Sequence, residues 1–370
     1  MRIDTIEVYR VNMPLVYPFR TAFGDEEAIE SVLVCLFSGK AYGWGESSSW
    51  RAPLYSGEWA QAAFLAVRDW LAPLLLGRDV QSGEALQRAL APIKGNYFAK
   101  ASLDLAWWDL KARLEGRPLW QVIGGTGPTA CVGADFGVME TLDGLIEQIR
   151  TAQASGFTRV KLKFRPGWEL NIIRAVRDAF PDLVMHVDCN SAYSLEHLPM
   201  FQELDNCRLA MIEQPLAHDD LVDHARLQKS IRTPLCLDES IVSISHARKA
   251  IELKACGWIN IKLGRVGGLT NALAIHDLCQ QAGIPCWVGG MLESAVGQAH
   301  NIALATLPNI KYPSDIFPTN RFYAEDLGAP PVELSGPSEI MAAAGPGIGC
   351  EPHPERLRRL QVEQAVIGKK

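Results

Sequence analysis

Apolar and polar positions alternate with a period of two through the first 48 residues, in I-D-T-I-E-V-Y-R-V, S-V-L-V-C-L-F and A-Y-G-W-G-E, which predicts three strands. Between the first two lies V-Y-P-F-R-T-A-F-G (16–24), a loop punctuated by Pro and Gly. Its aromatics, Phe19 among them, make it a candidate lid over a site. The irregular stretch 47–58 poses the same question for Trp50 and Tyr55. The spacing then turns helical over 58–77, 83–92 and 99–114, and Trp107 and Trp108 fall on the apolar face of the last, where core packing is expected. P-L-W-Q-V-I-G-G (118–125) closes this first unit on a glycine stop.

From Ala130 onward β-rich and helical segments alternate. Strands are expected near 130–138, 157–164, 183–190, 209–214, 234–239, 257–263, 285–292 and 310–316, with helices such as 141–156 between them. Eight strands with seven clear helices predict an α/β architecture, a modified (β/α)7β barrel of the TIM type. Beyond Phe317 the chain becomes irregular, with short β pieces such as P-P-V-E-L (330–334). The expected organisation is an α+β capping domain over 1–125, the barrel over 126–318, and a tail over 319–370 that returns to the cap.

Composition narrows the function classes. At 370 residues the chain suits one barrel plus a smaller domain, and 48% apolar with 21% charged residues is ordinary for a globular protein. A net charge of −6 without a Lys/Arg cluster argues against a nucleic-acid partner. No uncharged apolar run reaches membrane-spanning length, and M-R-I-D-T-I-E-V-Y-R lacks the apolar stretch of a secretory signal. The nine cysteines are scattered singly, without zinc-site spacing, so a reduced cytoplasmic setting is expected.

Against this background five charged residues stand out: Lys163, Asp188, Glu213, Asp238 and Lys262, each at the end of a β-rich run, with steps of 25, 25, 25 and 24 residues. That step is about one strand–helix unit of a barrel. Alternation along a strand places Lys161 and Lys163 on one face and Leu162 on the other, so both lysines point inward. Barrel strands normally read as unbroken apolar runs, and burying an unpaired charge costs several kcal/mol, about enough to force neutralisation. Five such charges at strand C-termini must neutralise one another or hold an ion. Lys163 falls on the second strand and Lys262 on the sixth, opposite each other in a ring of eight, with the three acids on the arc between. Three carboxylates without Cys or His ligands suit Mg²⁺ or Mn²⁺. Two opposed lysines can remove a proton from one face of a carbon and return one to the other, and a nearby cation is expected to draw their pKa toward neutrality.

These residues resemble the enolase superfamily, in its muconate-lactonising-enzyme-like subgroup, for which Lys bases acting with Mg²⁺ are a known pattern. The resemblance covers nearly the whole chain and rests on K-x-K (161–163), D-x-N (188–190), I-E-Q-P around Glu213, L-D-E-S around Asp238 and N-I-K (260–262). F-R-T-A-F-G (19–24), P-L-Y-S-G-E (53–58), G-N-Y-F-A-K-A (95–101), R-P-G-W (165–168), N-S-A-Y (190–193) and G-G-M-L-E-S-A-V-G-Q-A-H-N (289–301) are similar to the o-succinylbenzoate synthase/N-succinylamino acid racemase family. The resemblance implies metal ligation by Asp188, Glu213 and Asp238, acid/base roles for Lys163 and Lys262, and help from Lys161 at the substrate carboxylate. Asn190 and Glu239 would support the ligands, and Phe19, Trp50, Tyr55, Asp135, Arg265, Glu293 and Ser294 would border the substrate. It further implies a homo-oligomer acting on a small carboxylate. The resemblance implies two reactions in one site, each through an enediolate: dehydration of a cyclohexadiene hydroxy acid to o-succinylbenzoate, a menaquinone precursor, and racemisation of N-acylamino acids.

Two stretches depart from the family pattern. Asp135 in G-A-D-F-G stands where relatives resemble G-V-S-L-G, and F-P-T-N-R-F-Y (317–323) replaces a stretch like S-S-A-S-R-Y-W. Asp135 is expected to face the mouth or to pair with Lys161, and it favours the alternative of another carboxylate substrate, as in a muconate cycloisomerase or dipeptide epimerase. A metal-binding protein without catalysis would not need both lysines. The glycine runs 264–268 and 345–349 lack dinucleotide-binding spacing, His186 and His300 are expected to be structural, and Ser294 has no partners for a nucleophile.

Overall fold

Three antiparallel strands, β1 (Thr5–Arg20), β2 (Asp25–Ser38) and β3 (Ala41–Ser47), open the chain in a computed structural model that describes residues 1–20, 25–137, 139 and 141–368. Residues 21–24 of the candidate lid lie outside the described residues, while 16–20 extend β1. The sheet buries both faces. Ile6, Val8, Val32, Val34 and Leu36 pack on helices α1 (Ala60–Ala66), α2 (Gly83–Leu90) and α3 (Tyr97–Leu114). The opposite parity, Tyr9, Val11, Met13 and Leu33, packs with Trp50, Met291, Leu292, Phe317 and Phe322 from the loops over the barrel mouth. Alternation along two strands thus carries the cap from its own helices to the site. Gly45 lets α3 approach closely: a Cβ there would lie 2.3 Å from the Ser102 carbonyl and 2.4 Å from the Ala106 nitrogen. Trp107 is buried and meets Trp108 edge-on at 5.2 Å.

β4 (Thr129–Cys131) precedes seven parallel strands that pair in chain order: β5 (Ala134–Phe136), β6 (Arg159–Lys163), β7 (Val184–Asp188), β8 (Ile212–Glu213), β9 (Leu235–Leu237), β10 (Trp258–Ile261) and β11 (Cys286–Val288). The expected eighth strand at 310–316 is not a ladder. It is a segment that bridges both edges, through Cys286↔Ile310 and Val132↔Ser314. Asp315 donates its N–H to Val288 at 2.8 Å and Gly133 donates to Ser314 at 3.0 Å, which closes the ring. Pro313 lacks a donor and interrupts the pairing.

In the tail, β12 (Gly328–Ala329) pairs with β14 (Glu351–Pro352), and β13 (Glu339–Met341) pairs with β4. The β piece expected at 330–334 is therefore displaced upstream, since Pro330 and Pro331 cannot donate to a ladder. β15 (Gln361–Gly368) runs antiparallel to β1 from Thr5↔Gly368 onward and becomes the fourth strand of the cap sheet. No helix among the described residues is long and apolar enough to cross a membrane.

Candidate active site

Parity along β6 sets the site. Leu162 joins the core beneath the helices, while Lys161 (3% exposed) and Lys163 (8%) point into the barrel. The parallel register carries the row onward, with Lys163 beside Asp188 and Asp188 beside Glu213. Asp238 and Lys262 follow one residue past the ends of β9 and β10. Lys161, Lys163, Lys262, Asn190, Asp135 and Asp315 line one small cavity of about 40 Å³, roofed by Phe19, Trp50 and Tyr55 from the cap.

Each of the three lysines is paired with a carboxylate. Lys161 Nζ lies 2.9 Å from Asp188 Oδ2, 3.0 Å from Glu213 Oε2 and 3.1 Å from Asp315 Oδ2. Lys163 donates to Asp188 Oδ2 at 2.8 Å and Asn190 Oδ1 at 2.9 Å. Lys262 donates to Asp238 Oδ2 at 2.9 Å, with its ammonium 4.6 Å from the centre of the Tyr55 ring. Burial pushes the Asp188 carboxyl up, but Lys161 and Lys163 outweigh it and hold the group well below the usual carboxylate range. Burial likewise lowers Lys161, yet Asp188, Asp315 and Glu213 raise it well above an ordinary lysine. Lys262 is raised as well, with Tyr55, Glu239 and Glu213 overcoming burial. The acidic groups around them therefore move these two lysines opposite to the direction a bound dication would impose.

Among the described residues no three His, Cys, Asp or Glu side chains form a group open to a metal ion. The reason is visible: Asp188, Glu213 and Asp238 are each drawn onto a lysine. Their chemistry is nonetheless that of a hard-cation site, since all three are buried carboxylates, each within 3.0 Å of a cation.

The supports are well made. Asn190 donates its backbone N–H to Asp188 Oδ1 at 3.0 Å and its side-chain amide to Glu239 Oε1 at 3.0 Å. Asn260 donates to Glu213 Oε1 at 2.7 Å, and Gln214 Oε1 accepts from the Asp238 and Ser240 amides. Asn190 and Gln214 adopt φ of 43° and 36°, left-handed conformations at two adjacent strand ends. Arg265 is fully engaged: it pairs with Asp238 and donates to Tyr55 Oη at 3.2 Å, Ile241 O at 2.8 Å and Asn260 O at 2.6 Å. It braces the carboxylate of Asp238 beside the cavity.

The other expected residues divide between the cavity wall and the packing around it. Glu293 accepts the Met291 N–H at 2.9 Å, and Ser294 donates to Glu46 and caps the helix Ala295–Ala305, so neither lines the cavity. Trp50 faces Phe19 edge-on at 6.5 Å and donates to Met291 O at 3.0 Å. His300 bonds two backbone carbonyls, and His186 is packed against Trp287 and Tyr312 with its Nε2 3.4 Å from Glu213. Asp135 lines the cavity but does not pair with Lys161, whose third carboxylate is Asp315. Its Oδ1 is buried without a hydrogen-bond partner, and burial raises its carboxyl despite the opposing pull of Lys161 and Lys163.

Asp315 and Arg159 were not anticipated. Arg159 Nη1 is 2.8 Å from Asp315 Oδ1 and wholly buried. Alternation along R-V-K-L-K puts Arg159 on the lysine face, and Asp315 is the acid of the interrupted eighth segment, so both signals were present.

Comparison with known proteins agrees with this geometry. The mandelate racemase/muconate lactonizing enzyme N-terminal domain family matches residues 3–124, and the enolase C-terminal domain-like family matches 144–356. A Thermus thermophilus protein named N-succinylamino acid racemase is 44% identical over 88% of this chain and 89% of its own. An o-succinylbenzoate synthase of Geobacillus kaustophilus is 43% identical over 98% of this chain and 96% of its own. A solved enolase-superfamily protein of Listeria innocua superposes with a TM-score of 0.96 at 36% identity, over 99% of each chain. With cap, barrel and charged row all in place, the chain belongs to the enolase superfamily, as an enzyme of its mandelate racemase/muconate lactonizing enzyme branch.

Proposed function

We propose that this enzyme removes the proton α to a carboxylate, passes through an enediolate, and acts as an N-succinyl(acyl)amino acid racemase and o-succinylbenzoate synthase. The observation that carries the reading is the placement of Lys163 and Lys262 on β6 and just past β10, lining one cavity with three acids on the strands between. Enzymes of this branch depend on a divalent metal, typically Mg²⁺. Asp188, Glu213 and Asp238 would hold it, and when bound it supplies the positive charge that stabilises the enediolate.

The remaining chemistry belongs to the chain. Lys163 takes or returns the proton on one face of the α-carbon and Lys262 on the other. Lys163 and Lys262 are held by Asp188 and Asp238, and each ammonium would have to leave that partner to serve the α-carbon. Lys161, deepest in the barrel and held cationic by its acids, pairs with the substrate carboxylate. Phe19, Trp50 and Tyr55 close the mouth against water, which strengthens every charge interaction beneath them. In the dehydration one lysine suffices, because proton removal and loss of hydroxide occur on the same face.

The test is exchange resolved by enantiomer. With Mg²⁺ in D₂O, each enantiomer of N-succinylphenylalanine is followed by NMR in the wild type, Lys163→Ala and Lys262→Ala. Each variant is expected to lose racemisation, while retaining α-proton exchange of the one enantiomer that faces the surviving lysine. Exchange of both enantiomers in either variant refutes the two-base assignment. Absence of both exchange and dehydration in the wild type refutes the reading as a whole.

A further inference from the structure

Asp135 and Phe19 are the two residues shared by the lining of the inner cavity and that of a second, outer cavity of about 510 Å³. A substituent leaving the reacting carbon toward the outer cavity must pass between them. Asp135 is 8% exposed, and its Oδ1 has no hydrogen-bond partner. Its strand neighbour in the register is Lys161, which spends its ammonium on three other carboxylates. A buried acceptor left unsatisfied beside a reactive centre is costly unless a ligand supplies the missing donor.

Farther out stands Arg321. Its guanidinium lies 5.4 Å from the Phe136 and Phe317 ring centres and 5.7 Å from that of Phe322, and it donates to the Asp135 backbone carbonyl. Its Nε is buried without an acceptor. Among the described residues it is the one cation lining the outer cavity. The passage therefore presents an acceptor first and a cation second.

Building on the proposed function, we infer that Asp135 is a specificity residue that accepts the amide N–H of an N-acylamino acid, with the acyl chain directed past it toward Arg321. An N-succinylamino acid offers its groups in that order: an N–H next to the reacting carbon, then a distal carboxylate. The dehydration substrate does not, because the ring carbon in place of the amide nitrogen carries no hydrogen. The carboxylate of Asp135 thus favours racemisation over dehydration. A serine there, as in relatives that this stretch resembles, would serve both.

A double comparison tests this. The kcat/KM for α-proton exchange is measured for N-succinylphenylalanine and for 2-succinyloxy-3-phenylpropanoate, in which oxygen replaces the N–H. Wild type, Asp135→Ser and the isosteric Asp135→Asn are compared. Both substrates use the same lysines, so any effect of Asp135 on lysine basicity cancels in the ratio, as does the intrinsic acidity difference between ester and amide. The amide-over-ester preference should fall by about 10- to 100-fold in Asp135→Ser, the size of one hydrogen bond to a charged acceptor, and by less in Asp135→Asn, which keeps a neutral acceptor in the same place. Equal losses for both substrates in both variants would show a merely structural role and overturn the inference, leaving the proposed function standing. A wild type that exchanges neither substrate and performs no dehydration would overturn the proposed function, and this inference with it.

Discussion

Replacing Asp315 by Ala removes the carboxylate on which two buried cations of the barrel meet. Arg159 and Lys161 are 0% and 3% exposed, and Asp315 is 5% exposed. The two losses differ. Lys161 keeps Asp188 and Glu213, both within 3.0 Å, whereas Arg159 has no other carboxylate among its described ion pairs. It is left with the Ala134 carbonyl at 3.4 Å, that of Pro313, and the faces of Trp287 and Tyr312. Stranding one buried charge costs about 3–5 kcal/mol, against a total stability of roughly 5–15 kcal/mol. Urea unfolding should show the midpoint falling accordingly at unchanged slope. Asp315→Asn, which keeps a hydrogen-bond acceptor, should lose less. The double variant Arg159→Met/Asp315→Leu should be more stable than Asp315→Ala, because no charge is left stranded. A loss below about 1 kcal/mol for Asp315→Ala, the level of an exposed pair, would refute the reasoning.

Glu46 is buried, accepts from the Ser294 and Gly297 amides, and has its carboxyl pushed up to about 7 by burial. A folded value above the unfolded one means that the native state binds the extra proton, so wild-type stability relative to Glu46→Gln should fall as pH rises from about 4.5 to 7, by up to about 3 kcal/mol. Thermal melts of both proteins across that window check it; a flat difference would contradict it. Gly45→Ala drives a Cβ into the α3 backbone at 2.3 Å and should lower the melting temperature sharply, whereas Gly39→Ala, with open space at its Cβ, is limited to the strain of its φ of 59°. Mg²⁺ should raise the melting temperature of the wild type but not of Asp188→Asn, and EDTA should reverse the rise. Equal shifts in the two proteins would place the ion elsewhere.

The charged row was legible in the sequence because parallel strands impose a fixed step and alternate faces, and because polar side chains interrupt otherwise apolar runs. Lys161, Lys163 and Leu162 take the faces that parity assigns. What escaped was the partner choice. Lys161 lies beside Asp135 in the register, yet its ammonium reaches Asp315 across the barrel closure, a contact spanning 154 residues. Local spacing cannot express that. The partners of Arg265, Glu293 and Ser294 were hidden in the same way, since motif position says that a residue is near the site but not which way its side chain turns. The eighth segment lost its ladder to one missing donor, at Pro313.

The pairing of β15 with β1 has a consequence for biosynthesis. The cap sheet takes its fourth strand from residues 361–368, which leave the ribosome only after every barrel strand has been made. Until then the backbone donors and acceptors of β1 along Thr5–Val11 face no neighbour on that side, an edge open to other nascent chains. The opposite face of the same sheet packs the roof over the catalytic mouth. A chain halted after the barrel would therefore carry its reactive residues beneath a roof not yet braced, and would expose a strand prone to aggregation. Completion of the last eight-residue strand seals both at once.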